Sequence, residues 1–286
     1  MQMLFATMPR WQRVSVHLTE AKDMRNFLYT LIPEEGKSSA TLLQNLHISA
    51  RYSNAPDLLN SDSFSRLSSF PHPTLRRLTW SNYNSVGDFA RVPISLWINL
   101  QQISFHMLRA VDLHSCLKAC TNLQFIFIHT FYAPTSEGNV ITPTVAHTLQ
   151  SLNIGCVIRD LTEAIGLLTI PNLKRLSFGN SSGPGQSKRL QAFLERSGCK
   201  LESLSIVCAT PEFDEAETRI LLLMPIFTAI PHLSLRLIED GCHPSFPQTI
   251  IAECAGQWSA TAYVHYEPKN YCSDVQARPK AAKPAG

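Results

Sequence analysis

The sequence predicts an α/β fold built as a right-handed superhelix, with about nine irregular strand-and-helix units and all strands parallel along one concave face. Three observations predict it. First, a six-residue figure, apolar at its first, fourth and sixth places, returns nine times. It stands at Trp11-Val14-Val16, Leu43-Leu46-Ile48, Leu75-Leu78-Trp80, Leu100-Ile103-Phe105, Leu123-Ile126-Ile128, Leu149-Leu152-Ile154, Leu173-Leu176-Phe178, Leu201-Leu204-Ile206 and Ile230-Leu233-Leu235. Second, the first residues of successive figures lie 32, 32, 25, 23, 26, 24, 28 and 29 positions apart, a period found in stacked repeats. Third, the last places of each figure alternate apolar and polar, as in a strand with one buried face, while the intervals carry apolar stripes at helical spacing. A strand, a crossover helix and a parallel strand joined within about thirty residues must stack tightly on the next such unit.

Taken in order, the two longest intervals contain Pro33-Glu34-Glu35-Gly36 and the polar run 61–69, closed by Pro71-His72-Pro73. Both read as long rim loops. Helices are expected over 112–120, where Leu113, Cys116, Leu117 and Cys120 share a stripe, and over 161–168, with Leu161, Ala164, Ile165 and Leu168. Two more are expected over 188–197, with Leu190, Phe193 and Leu194, and over 217–224, which Pro225 stops because it lacks an amide proton. Residues 179–185 form a glycine-rich insertion, and after Arg236 the period fails. The expected organisation is a repeat domain over 1–236, a C-terminal cap over 237–270 with a short helix near 248–255 and a strand near 258–266, and a disordered tail over 271–286. Figure and period together are the signature of leucine-rich repeats arranged as a ribonuclease-inhibitor-like horseshoe. The asparagine usual at the ninth place is replaced by Arg51, Tyr83, Leu108, Phe131, Val157, Ser181 and Ala209, so the turns must satisfy their backbone groups by other means.

The formal charge is +3, from 25 basic and 22 acidic side chains, and only 16% of residues are charged, which argues against nucleic acid as a partner. Eight cysteines occur without a Cys-x-x-Cys pair; several, among them Cys116, Cys120, Cys156 and Cys199, sit at turns or on inward stripes and read as reduced core thiols. No basic leader with an apolar stretch opens the chain, and the run 220–224 is far shorter than the ~20 residues that span a bilayer. A membrane partner is not expected, and an intracellular, cytoplasmic or nuclear, location is.

The phrases RWQRVSVHL at 10–18, TLRRLTW at 74–80, CLKACTNLQFI at 116–126, TIPNLKRLSF at 169–178 and FLERSGCKLESLSI at 193–206 resemble the leucine-rich repeat region of fungal F-box-like proteins of mushroom-forming fungi. The likeness covers residues 10–236. It implies a substrate receptor of a ubiquitin ligase, in which an F-box grips a Skp1-type adaptor and the repeats hold the protein to be modified. Ten residues precede Trp11, whereas an F-box needs about forty, so the adaptor is expected as a partner only if an F-box is supplied elsewhere.

Places three, five and seven of each figure should point away from the core, because neighbouring strand residues face opposite ways. Place five reads Ser15, His47, Thr79, Ser104, Phe127, Asn153, Ser177, Ser205, Ser234, small polar residues that suit a tightly curved surface. Place three supplies Arg13, Arg77, Arg175 and Phe125, and place seven His17, His106, His129 and Arg236. Phe125 and Phe127 would make an apolar spot in a polar face, bordered by His106 and His129, and exposed aromatics of this kind anchor protein partners. Two readings stand: the pair is open to a partner, or a rim loop over 132–139 covers it. The candidate partner-binding residues are Phe125, Phe127, His106, His129, Arg77 and Arg175.

His106 and His129 share a column on adjacent strands, but two ligands are too few for a metal, and a surface pair is preferred. Cys116, Cys120 and nearby His114 read as core rather than as a zinc site. Residues 183–188, GPGQSK, lack the pattern of a phosphate loop, there is no Gly-x-Ser-x-Gly elbow, and acidic residues stand singly. No cofactor, no metal and no catalysis are expected. The functional expectation is a non-catalytic protein-recognition module on a concave face, serving a ubiquitin ligase if an F-box is supplied elsewhere; the alternative is a scaffold or regulator with no ligase connection.

Overall fold

Every one of the nine figures lies on a strand, because alternation of apolar and polar side chains is satisfied when one side of a pleated sheet is buried and the other is not. In the computed structural model the described residues are 7–18, 21–31, 40–50, 73–82, 97–132, 142–158, 161, 165–179, 185–208, 215–238, 249, 253 and 261–267. The strands are β1 (Arg13–Leu18), β2 (Asn45–Ala50), β3 (Arg77–Asn82), β4 (Gln102–Arg109), β5 (Phe125–Tyr132), β6 (Thr144–Val145), β7 (Ser151–Ile158), β8 (Leu168–Thr169), β9 (Arg175–Gly179), β10 (Ser203–Cys208), β11 (His232–Ile238) and β12 (Thr261–Glu267). Ten of them form one sheet in the order β1-β2-β3-β4-β5-β7-β9-β10-β11-β12. All of its pairs are parallel, and place three of each figure pairs with place three of the next, from Arg13↔Asn45 to Ser203↔His232.

β12 continues the sheet beyond the last figure, with Thr261 opposite His232. Its wording hides this, since Ser259 stands where an apolar first residue would be. Nine steps of about 4.8 Å make the sheet roughly 43 Å across.

Between strands run α1 (Ala21–Leu31), α2 (Ala110–Ala119), α3 (Gln186–Ser197), α4 (Glu215–Leu223) and the short α5 (Pro225–Thr228). The apolar places four and six of the sheet and the helical stripes join in a single core, whose largest buried side chains include Trp80, Trp97, Phe105, Phe131, Phe178, Phe193 and Phe227. α1 was not expected from the sequence; its signal is Met24, Phe27, Leu28 and Leu31 at helical spacing, and Leu28 and Leu31 are buried. The helix expected over 161–168 ends earlier. Leu161 and Ile165 are helical, Gly166 and Leu167 turn, and Leu168 begins β8, which pairs with β6 as a separate two-stranded parallel sheet. Pro225 closes α4 as expected and also opens α5, where its missing amide proton leaves no bond unmade. The rim loop over 33–36, the run 61–69, insertion residues 180–184 and the tail 271–286 lie outside the described residues.

Backbone satisfaction at the turns follows two rules that no consensus asparagine supplies. The carbonyl at place two accepts both the place-two and place-three amides of the next unit, as in Gln101 to Gln124 (2.8 Å) and Phe125 (3.0 Å). At the ninth figure Pro231 has no amide to give, and only His232 donates to Glu202, at 3.2 Å. Just before place one, a threonine or asparagine side chain donates to a carbonyl of the preceding unit: Thr74 to Thr41, Asn122 to Ile98, Thr148 to Thr121 and Asn172 to His147. The same unit-to-unit stitching recurs further out, where Glu217 on α4 accepts from the Ser187 amide (2.7 Å) and hydroxyl (2.5 Å) at the first turn of α3. A carboxylate there suits the positive end of the helix.

The ninth place, polar by consensus, is apolar in the middle of the sheet. Leu108 and Phe131 are both fully buried, which is why β4 and β5 run to eight residues while β1, β2 and β3 have six.

Candidate functional site

The open side of the sheet carries places three, five and seven, and its centre is a three-by-three patch. β4 contributes Gln102, Ser104 and His106, β5 contributes Phe125, Phe127 and His129, and β7 contributes Ser151, Asn153 and Gly155. Phe125 is half-buried and Phe127 is 39% exposed, an unusual value for a large apolar residue flanked on both sides by strands. The small residues of β7 leave the flank of the phenylalanines low. The loop considered as a cover, 132–139, lies outside the described residues except for Tyr132 at the end of β5.

Two pairs among the six candidates come together. The Arg175 guanidinium carbon lies 5.4 Å from the centre of the Phe125 ring, so the arginine on β9 reaches across β7, over Ser151, to cover part of the ring. Such cation–π contacts contribute about 0.5–1 kcal/mol at exposed sites. His106 and His129 stack, with ring centroids 4.6 Å apart and planes 14° from parallel. Burial pushes the His106 imidazole below its ordinary range, and neighbouring His129 adds to the effect. His129 also shares a hydrogen bond with the Thr130 hydroxyl at 3.1 Å. Arg77, on β3, is exposed and two strands from Phe125, without contact to the other candidates in the described geometry.

Sequence reasoning overlooked Gly155. A Cβ at this position would lie 2.9 Å from the His129 carbonyl oxygen, so glycine is what lets β7 approach β5 beside the histidines. The signal was available, since a glycine inside a strand pattern marks a close backbone approach.

Elsewhere, several chemistry-bearing groups among the described residues are engaged or buried. Asp112 is buried and held by Arg109, Nε to Oδ2 at 2.6 Å and Nη2 to Oδ1 at 2.9 Å. His114 is hydrogen-bonded to the Thr144 hydroxyl at 2.9 Å. Cys116 and Cys120 are buried free thiols with sulfurs 3.9 Å apart, and burial, with Cys116 adding, holds the Cys120 thiol well above its usual range, so it keeps its proton at neutral pH. Among the described residues, no group of three or more His, Cys, Asp or Glu side chains could hold a metal, and no helix is long and apolar enough to cross a membrane. A cavity of about 560 Å³ lies at the β1 end, between Trp11, Val14, Val16 and Phe27.

No protein-family model, curated protein or solved structure matches the chain.

Proposed function

We propose that the sheet is the concave face of a leucine-rich-repeat solenoid of the ribonuclease-inhibitor-like horseshoe type, and that the chain is a non-catalytic protein-recognition module acting in the cytoplasm or nucleus. The single observation that carries this reading is Phe127: a large apolar ring, 39% exposed on the central strand β5, with paired strands on both sides and a mostly polar face around it. Aromatic residues that stay uncovered on a rigid face and are rimmed by polar groups serve as anchors for a partner protein. Arg175 beside Phe125 and the stacked His106 and His129 form the polar rim, and Arg77 extends it. The in-register stacking of nine similar figures and the unit-to-unit hydrogen bonds support the solenoid reading.

The resemblance to fungal F-box-like proteins extends the proposal to a substrate receptor for ubiquitination. Phe127→Asp should abolish capture of a protein partner in a pull-down while leaving the melting curve unchanged, and unchanged capture removes the site. Co-purification of a Skp1-type adaptor tests the ligase connection; binding of a partner without the adaptor leaves a repeat scaffold.

A further inference from the structure

The third-place row of the sheet has a second period. In the order of the sheet it reads Arg13, Asn45, Arg77, Gln102, Phe125, Ser151, Arg175, Ser203, His232, so an ionisable or aromatic side chain stands on every second strand with a neutral polar residue between. Two strand steps are about 10 Å. Arg13, Arg77 and Arg175 are all exposed.

The rest of the open face carries no opposing charge. Of the chain's 22 acidic residues none stands at place three, five or seven of β1 to β11, whereas Arg236 and four more histidines, His17, His47, His106 and His129, do. None of these places holds lysine. Acids are found on the other elements instead, in Asp112, Glu195 and Glu217 of the helices and Glu202 at a turn. The planar arginine fork pairs bidentately with carboxylates, which a compact ammonium does not.

Resting on the recognition reading above, we infer that the occupant of this face is an acidic peptide segment, extended across the strands, with an apolar residue seated on Phe125 and Phe127 and carboxylates about three residues away on each side. The spacing follows from geometry: at ~3.3 Å per extended residue, three residues cover the ~10 Å between alternate strands. One carboxylate meets Arg77 and the other draws Arg175 off the Phe125 ring that it covers in the unbound face, with Arg13 and His232 continuing the row. Four arginines dispersed over a 43 Å sheet are too sparse for a nucleic-acid backbone, which carries a charge every few ångströms.

The test is fluorescence anisotropy with a labelled peptide of about thirteen residues, with glutamate at every third place on both sides of a central leucine and serine or threonine elsewhere. Binding should weaken about tenfold between low and moderate salt. Arg77→Glu and Arg175→Glu should each weaken it by about tenfold or more, with the melting curve unchanged for the exposed Arg77 and only slightly lowered for Arg175, which also loses its contact with the Phe125 ring. Equal binding of the same peptide with glutamine for glutamate, tighter binding of a single-stranded oligonucleotide, or no binding at all overturns the acidic-peptide inference. If the glutamine peptide binds and Phe127→Asp still abolishes that binding, the recognition reading survives alone; if no variant of Phe127 affects any peptide that binds, that reading fails as well.

Discussion

Strand β4 and strand β1 carry the same apolar figure, yet Leu100, Ile103 and Phe105 are buried completely while Trp11, Val14 and Val16 are only half-buried. The difference is one of neighbours. β4 lies between β3 and β5, whereas β1 has a described neighbour only in β2. Period-two patterning decides which way a side chain points, and the stacked units decide how much water it loses. β1, with one described neighbour, is therefore expected to be the weaker of the two strands.

That contrast is broken or sharpened by graded substitutions, followed by urea unfolding. Phe105→Ala, in the middle, should cost about 3–5 kcal/mol, since it leaves a large void among buried neighbours. Val16→Ala at the edge should cost about 1 kcal/mol or less, and equal losses at the two sites would show that the units do not depend on their neighbours. Between these two in size, Gly155→Ala should destabilise by about 1–3 kcal/mol, because the new methyl meets the His129 backbone and not a movable side chain. It should also loosen peptide binding at the adjacent phenylalanines; a neutral substitution would mean that β5 and β7 can separate freely.

Smaller again is Thr148→Val, which removes the hydroxyl that bonds the Thr121 and Leu123 carbonyls at 2.8 and 3.0 Å. A loss of about 1 kcal/mol is expected, matched by Thr74→Val at the same place nearer the end. The smallest effect concerns acid. Because His106 binds its proton less readily in the fold than in the unfolded chain, the unfolded state takes up the extra proton first as pH falls through the ordinary histidine range. Stability contributed at this position is thus intact above that range and declines below it. His106→Gln should flatten part of the decline in thermal melts between about pH 7.5 and 5.

Most of the sheet was legible in the sequence because two periods reinforce each other, alternation within a strand and recurrence from unit to unit. Where one weakened, reading was partial: the alternation near 258–266 gives a strand but assigns it to a separate cap, since Ser259 hides that it continues the sheet, and Gly166 ends a helix that a stripe of apolar residues carries on to Leu168. α1 went unread because an expected loop occupied the same interval, although Phe27, Leu28 and Leu31 announce it. At the candidate site, the positions of Phe125, Phe127, His106 and His129 followed from strand parity. The stacking of the two histidines, the reach of Arg175 over Ser151 and the need for Gly155 did not, since each depends on distances between strands distant in sequence.

Which residues share a face is already written in the chain, because side-chain direction in a strand depends on local parity alone. Only the tertiary structure decided which rows line up. Register is set by backbone bonds between units about 25 residues apart, and it is register that spaces Arg13, Arg77, Phe125, Arg175 and His232 evenly across the sheet.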